Sequence, residues 1–72
     1  MDKREFKDKV YGELARITRA MANPHRLEII ELLAQGEFSV EQIAMQTNLS
    51  VANASQHLQV LKTAQLVDIN RQ

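Results

Sequence analysis

Ser55, His57 and Asp68 are the residue types of a hydrolytic triad, in which a hydroxyl attacks, an imidazole takes its proton and a carboxylate orients the ring. Their spacing defeats that chemistry. Ser55 and His57 stand two residues apart in a stretch of helical periodicity, and side chains so placed do not face each other. No glycine-rich loop offers an oxyanion site, and no second carboxylate joins them. Metal chemistry is no better supplied: the chain has no cysteine, and His25, between Pro24 and Arg26, has no ligand partner in the sequence. The expectation is a protein that is not an enzyme and that uses no metal and no cofactor.

A different chemistry suits the stretch LSVANASQHLQVL, residues 49–61. Its apolar residues recur at helical spacing, yet it has no Lys, Arg, Asp or Glu. Placed at steps of about 100°, Val51, Ala54, Leu58 and Leu61 fall within about 80° of arc and make a core seam. The opposite side carries Ala52, Asn53, Gln56, Gln59, Val60 and Thr63, with Ser55 and His57 on the flanks. A helix that enters the major groove of double-stranded DNA must be slim and must offer donors and acceptors to base edges. Asn and Gln suit adenine, Ser suits several edges, and Ala or Val suits a thymine methyl; acids would be repelled by phosphate.

Such contacts come mainly from the start of the helix, which singles out Val51, Ala52, Asn53, Ser55 and Gln56, with Gln59 further along. The N–H groups at Ser50 to Ala52 can receive a phosphate, and Lys62, Arg71 and Arg26 are the cations near that face. His57 reads as a partly buried structural histidine in preference to a base contact. A competing reading uses the same residues. Asn, Ser and Gln are ordinary residues at a helix start, and a neutral polar face can pack on a protein, which describes an interaction or dimerisation module without DNA binding.

The elements that would hold this face outward follow from periodicity and punctuation. Phe6, Val10, Leu14, Ile17 and Met21 form one stripe of a first helix over residues 3–21. Asn23-Pro24 caps and opens a second helix, PHRLEIIELLAQ, whose Leu27, Ile29, Ile30, Leu32 and Leu33 cover more than half its circumference. That helix is expected to be central and packed on two sides, with Gly36 as a left-handed cap. Ser39 and Gln42 form a capping box for a short helix over residues 40–47, burying Val40, Ile43, Ala44 and Thr47. After the turn TNLS, in which Leu49 points inward, Ser50 caps a fourth helix that runs to about Ala64. Leu66, Val67 and Ile69 are β-prone and predict a strand beginning at residue 66. Helix, turn, helix over residues 39–64 is the helix-turn-helix unit.

Composition sets the bounds. A chain of 72 residues is a single small domain with a marginal core, the size class that often needs a partner. Only 4% of residues are aromatic, so no platform for stacking single-stranded bases exists. No apolar run is long enough to span a membrane, and the absence of cysteine fits a cytoplasmic location. Nine cations balance nine acids, whereas a free-standing DNA binder is usually basic. The charges are uneven, however: from Phe38 to Val67 only Glu41 and Lys62 are ionised at neutral pH.

With these pieces in order, the chain resembles the ArsR-type (arsenic-repressor-like) winged-helix transcriptional regulators. The resemblance covers roughly residues 20–72 and is carried by ANPHRLEII, by LSVANASQHLQVLKTAQLV and by the closing RQ. The wording SVANASQHLQVL is most similar to a subgroup in which a rhodanese-like, sulfur-handling domain follows the DNA-binding part. The resemblance implies an all-α winged helix-turn-helix domain over residues 1–72 with a terminal strand, the wing truncated because the chain stops at Gln72. It further implies a homodimer whose first helix, through Phe6, Val10, Leu14 and Ile17, lies in the interface. Two recognition helices would read a pseudo-palindromic operator and repress until an inducer, unidentified in the sequence, weakens binding. One departure is plain. Where metal-sensing members carry Cys-Val-Cys, this chain has Ser39, Val40 and Glu41, which cannot bind a soft metal.

Overall fold

Local capping decides where each element begins. The computed structural model describes residues 2–67 and has four helices, α1 (Lys3–Met21), α2 (Pro24–Gln35), α3 (Val40–Thr47) and α4 (Val51–Thr63). Asp2 and Glu5 close a capping box on α1, in which Asp2 Oδ1 accepts from Glu5 N at 2.8 Å. Asn23 accepts from the Arg26 N–H at 3.1 Å just ahead of Pro24. Ser39 Oγ accepts from Gln42 N at 3.1 Å, while the Gln42 side chain accepts from Ser39 N at 2.8 Å. Ser50 Oγ accepts from Asn53 N at 3.0 Å. Each such cap stabilises its helix by about 1 kcal/mol.

The helix ends differ from expectation. Gly36 is extended (φ 165°, ψ −165°) and makes no left-handed cap; α2 simply runs out into an extended segment. Among the described residues the left-handed ones are Asn48 (φ 60°) and Gln65 (φ 62°). After α3, Leu49 N donates to Ala44 O at 2.9 Å and Asn48 N to Met45 O at 3.4 Å. After α4, Leu66 N donates to Leu61 O and Gln65 N to Lys62 O, both at 2.9 Å. Both are Schellman closures, and in each the residue after the left-handed one, Leu49 or Leu66, packs back on the core.

That core is small. Ile29, Ile43 and Leu61 are its fully buried large side chains, joined by Ala44 and Ala54 and ringed by half-buried Ile30, Leu33, Phe38, Leu49 and Leu58. In α3, Ile43, Ala44 and Thr47 are buried and Val40 half-buried, and the Thr47 hydroxyl donates to Ile43 O at 2.7 Å. α2 touches the other three helices but is less enclosed than its composition predicts: only Ile29 is fully buried, and Leu27 is 48% exposed. The reason is that α1 leans on it with its C-terminal end alone. Every residue from 2 to 15 is exposed, and Ala20 is the one buried residue of α1. The N-terminal half of α1 is thus an arm, braced by the surface pairs Arg4–Asp8 and Arg16–Glu13.

No strand occurs among the described residues. Leu66 and Val67, expected to begin one, form a bend that seals the end of α4, and the remainder of the expected strand lies outside the described residues.

Gln65 gives a direct check on the closure of α4. A β-branched side chain is strained at positive φ, so Gln65→Val should lower stability by about 1–2 kcal/mol, whereas Gln65→Gly should hold or slightly raise it. Urea unfolding of the three proteins measures the difference; equal losses for Val and Gly would contradict the left-handed assignment.

Candidate nucleic-acid interface

α4 divides along its length. At its start Val51, Ala52, Asn53, Ser55 and Gln56 are all exposed, and none of them is ionisable. Ser50 is exposed as well, with its hydroxyl committed to the Asn53 N–H. The N–H groups of Val51 and Ala52, in the first turn, have no preceding helical carbonyl to reach, so they point out of the helix as donors. Further on, Gln59 is exposed, with Nε2 donating to Thr63 Oγ1 at 3.4 Å, and Lys62 is half-buried beside it. Arg71 and Asp68 lie outside the described residues.

The packed side of α4 is turned from where the sequence puts it. Ala54 and Leu61 are fully buried and Leu58 half-buried, but Val51 is 45% exposed and leaves the seam. Ala64, on the other edge, is buried instead. Ala64 stands on the side of α4 that faces the end of α1, across a groove lined by Arg16, Arg19 and Ala20. Arg16 Nη1 donates to Thr63 O at 3.4 Å across that groove.

Arg26 fixes the geometry from α2. Its Nε donates to Ala20 O at 2.6 Å, its Nη2 to Arg19 O at 3.4 Å, and its Nη1 lies 3.2 Å from His57 Nδ1. A guanidinium can only donate, so Nδ1 accepts and the imidazole is neutral with its proton on Nε2. The His25 ring stands 5.6 Å from that of His57, centroid to centroid. Burial lowers the affinity of His57 for a proton below the ordinary value of 6.5, and the nearby charges of Arg26 and His25 lower it further. The sequence marks His57 as structural but gives His25 no partner; the pairing spans more than thirty residues and has no local signal.

Two grooves flank the exposed face. One, of about 570 Å³, runs between α4 and the α2–α3 side and includes Ser55, Leu58, Gln59 and Lys62. The other, of about 750 Å³, separates α4 from α1 and brings Arg16, Arg19 and Arg26 beside Gln56 and Val60. Arg16 and Arg19 are residues that the sequence reading passes over, although the signal was there: between Glu13 and Glu28 the chain has three arginines and no acid. Ser39 is committed to capping α3, and among the described residues no three His, Cys, Asp or Glu side chains converge.

Residues 23–68 match the family described as "Bacterial regulatory protein, arsR family". The chain belongs to the ArsR family. It is 47% identical over 60 residues to the HTH-type transcriptional regulator Rv0324 of Mycobacterium tuberculosis, an alignment covering 83% of this chain and 26% of that protein. It is 32% identical over 68 residues to the biofilm growth-associated repressor of Xylella fastidiosa, covering 94% of this chain and 60% of the repressor. Among solved structures it is similar to the homodimeric winged helix-turn-helix DNA-binding domain (fragment 1–100) of Mb0332 from Mycobacterium bovis, described as a possible ArsR-family regulator. That likeness has a TM-score of 0.85 and 42% identity over 100% of this chain and 65% of the other. The four helices therefore match a winged helix-turn-helix domain. The chain spans less than two thirds of the length of each of these relatives.

The neutral His57 of this ArsR-family chain makes its stability pH-dependent. The unfolded chain takes up a proton near pH 6.5, and the folded chain takes it up only at lower pH. Stability should be full above that value and should fall as pH drops from there toward the lowered folded-state value. His57→Asn keeps an acceptor for Arg26 but cannot titrate. Melting temperatures of the two proteins between about pH 5 and 8 should converge as pH falls, and parallel curves would contradict the pairing.

Proposed function

We propose that this chain is the DNA-reading part of a homodimeric transcriptional repressor that inserts α4 into the major groove of a pseudo-palindromic operator. The observation that carries the reading is the start of α4, where five exposed residues in a row of helical turns are small or polar and none is charged. In this reading Ala52, Asn53, Ser55 and Gln56, with Val51 and Gln59, meet base edges, while Ser50, Lys62 and Arg71 meet phosphate. Family membership and the names of the relatives, regulators and repressors among them, support it. The protein acts in the cytoplasm, where the chromosome is, and no helix among the described residues is long and apolar enough to cross a membrane. The domain occupies residues 1–72, and Leu66 and Val67, which form a bend, are not part of a wing strand.

α1 supplies the dimer contact. Phe6 is 59% and Leu14 55% exposed, Val10 is exposed and Ile17 half-buried, along one stripe of a helix that has no cover over its first three turns. An isolated helix of that length is marginal in water, so a second copy that buries the stripe stabilises both arms. Two copies also present two α4 helices, as half-sites about 34 Å apart require. The competing reading, an interaction module that does not touch DNA, is favoured by the zero net charge.

Two experiments test these assignments. Operators selected from a random duplex library by the wild-type protein should be bound by Gln56→Ala with relaxed sequence preference, whereas Lys62→Ala should weaken all sequences alike. Equal losses from both on every sequence would contradict the division of roles, and no binding at low salt would favour the interaction module. Leu14→Glu should shift the protein to monomer in sedimentation, with at least a tenfold weaker association expected from roughly 1.5–3 kcal/mol of lost apolar burial per copy; an unchanged dimer would move the interface elsewhere.

A further inference from the structure

The chain is neutral, but its charges are segregated. Between Glu13 and Glu28 stand Arg16, Arg19 and Arg26 without an acid, and from Gln42 to Val67 Lys62 is the only Lys, Arg, Asp or Glu. Folding lays these two acid-free stretches side by side, because the three arginines line the groove between α1 and α4. They are not equivalent. Arg26 is committed to two carbonyls of α1 and to His57. Arg16 is partly committed, with Nε and Nη2 donating to Glu13 Oε1 at 3.1 and 2.8 Å and Nη1 to Thr63 O. Arg19 is exposed, and its guanidinium has no hydrogen bond or ion pair with any described residue.

We infer that Arg19, with Arg16 behind it, grips the phosphate strand that borders the major groove on the α1 side of α4. This rests on the reading of α4 as the helix that enters the groove. The groove is about 12 Å wide, so a helix at its centre has each sugar–phosphate wall within about 10 Å of its axis. Packed helices lie 8–10 Å apart, which sets the neighbour of a groove-filling helix over one of those walls. On the Val60 flank of α4 that neighbour is α1; on the Ser55 flank the cation is Lys62. The planar fork of Arg19 matches two phosphate oxygens, and its backbone is held because its own carbonyl accepts from Arg26. Glu13 acts against the grip by competing for Arg16.

The test needs no operator, because phosphate contacts are blind to sequence. A fluorescein-labelled duplex of about 30 mixed base pairs is titrated with the protein at several salt concentrations from roughly 50 to 200 mM. Arg19→Ala should lower the slope of log affinity against log salt by about 0.9 per subunit and weaken binding about eightfold per lost contact at 0.1 M salt. Arg19→Lys should keep most of the slope, and Glu13→Gln should strengthen binding by freeing Arg16. Arg4→Ala removes a cation about 22 Å further along α1 and should leave the slope unchanged. Melting curves identify any variant that has lost its fold, and for such a case Glu13→Gln and Arg19→Lys decide the question. An unaltered slope in folded Arg19→Ala, or an equal loss in Arg4→Ala, overturns the inference while the base-reading role of α4 stands. A wild-type protein that binds no duplex at the lowest salt overturns both.

Discussion

One guanidinium holds three helices at their angles. At the end of α1 the Ala20 carbonyl accepts from Arg26, which also donates to the Arg19 carbonyl, already bonded to Ala22 N–H at 3.3 Å, while reaching His57 on α4 from the first turn of α2. A cation at that end also complements the negative pole of α1. With three large side chains fully buried among the described residues, the core fixes the α2–α3–α4 trio but says little about α1. The orientation of α1 depends on this fork, on the Arg16–Thr63 bond and on the packing of Ala20 and half-buried Ile17. A lysine could not replace Arg26, since one ammonium cannot direct planar donors at three acceptors on two helices.

The consequences run outward from that joint. α1 ends on the side of α4 where Ala64 is buried, while Val51, at the start of the helix, lies at the surface. The same placement leaves the first half of α1 projecting from the body, giving the chain a length of 47 Å against 21 and 19 Å across.

What could be read from the sequence was local. Asn23, Ser39 and Ser50 announce their helices because a cap depends on residues within one turn, and each makes the bond expected of it. The stops were harder. Gly36 permits a left-handed cap without requiring one, while Asn48 and Gln65 adopt that conformation because Leu49 and Leu66 gain burial beyond them. Val51 sits at the edge of an arc, where a modest turn of the helix decides between seam and surface. The Arg26–His57 and Arg16–Thr63 contacts join residues 31 and 47 positions apart, and no periodicity encodes them. For the candidate site, residue type named the exposed start of α4, but only the packing of α1 against α4 revealed which arginines stand beside it.

Zero net charge is a poor guide to what a surface presents. At physiological salt a phosphate senses charges within about 8 Å, so the sum over the chain matters less than the sum over one face. Asp2, Glu5, Asp8 and Glu13 lie on the arm of α1, and Glu28, Glu31, Glu37 and Glu41 fall in α2, the extended segment and the start of α3. None lies on α4. For a helix that reads base edges this separation has a further effect. Few cations mean few released counterions and weak attraction to arbitrary DNA, so discrimination rests on the fit of a neutral face to the bases. A single copy with so few phosphate contacts would dissociate readily, and the proposed pairing of two copies through α1 would double those contacts.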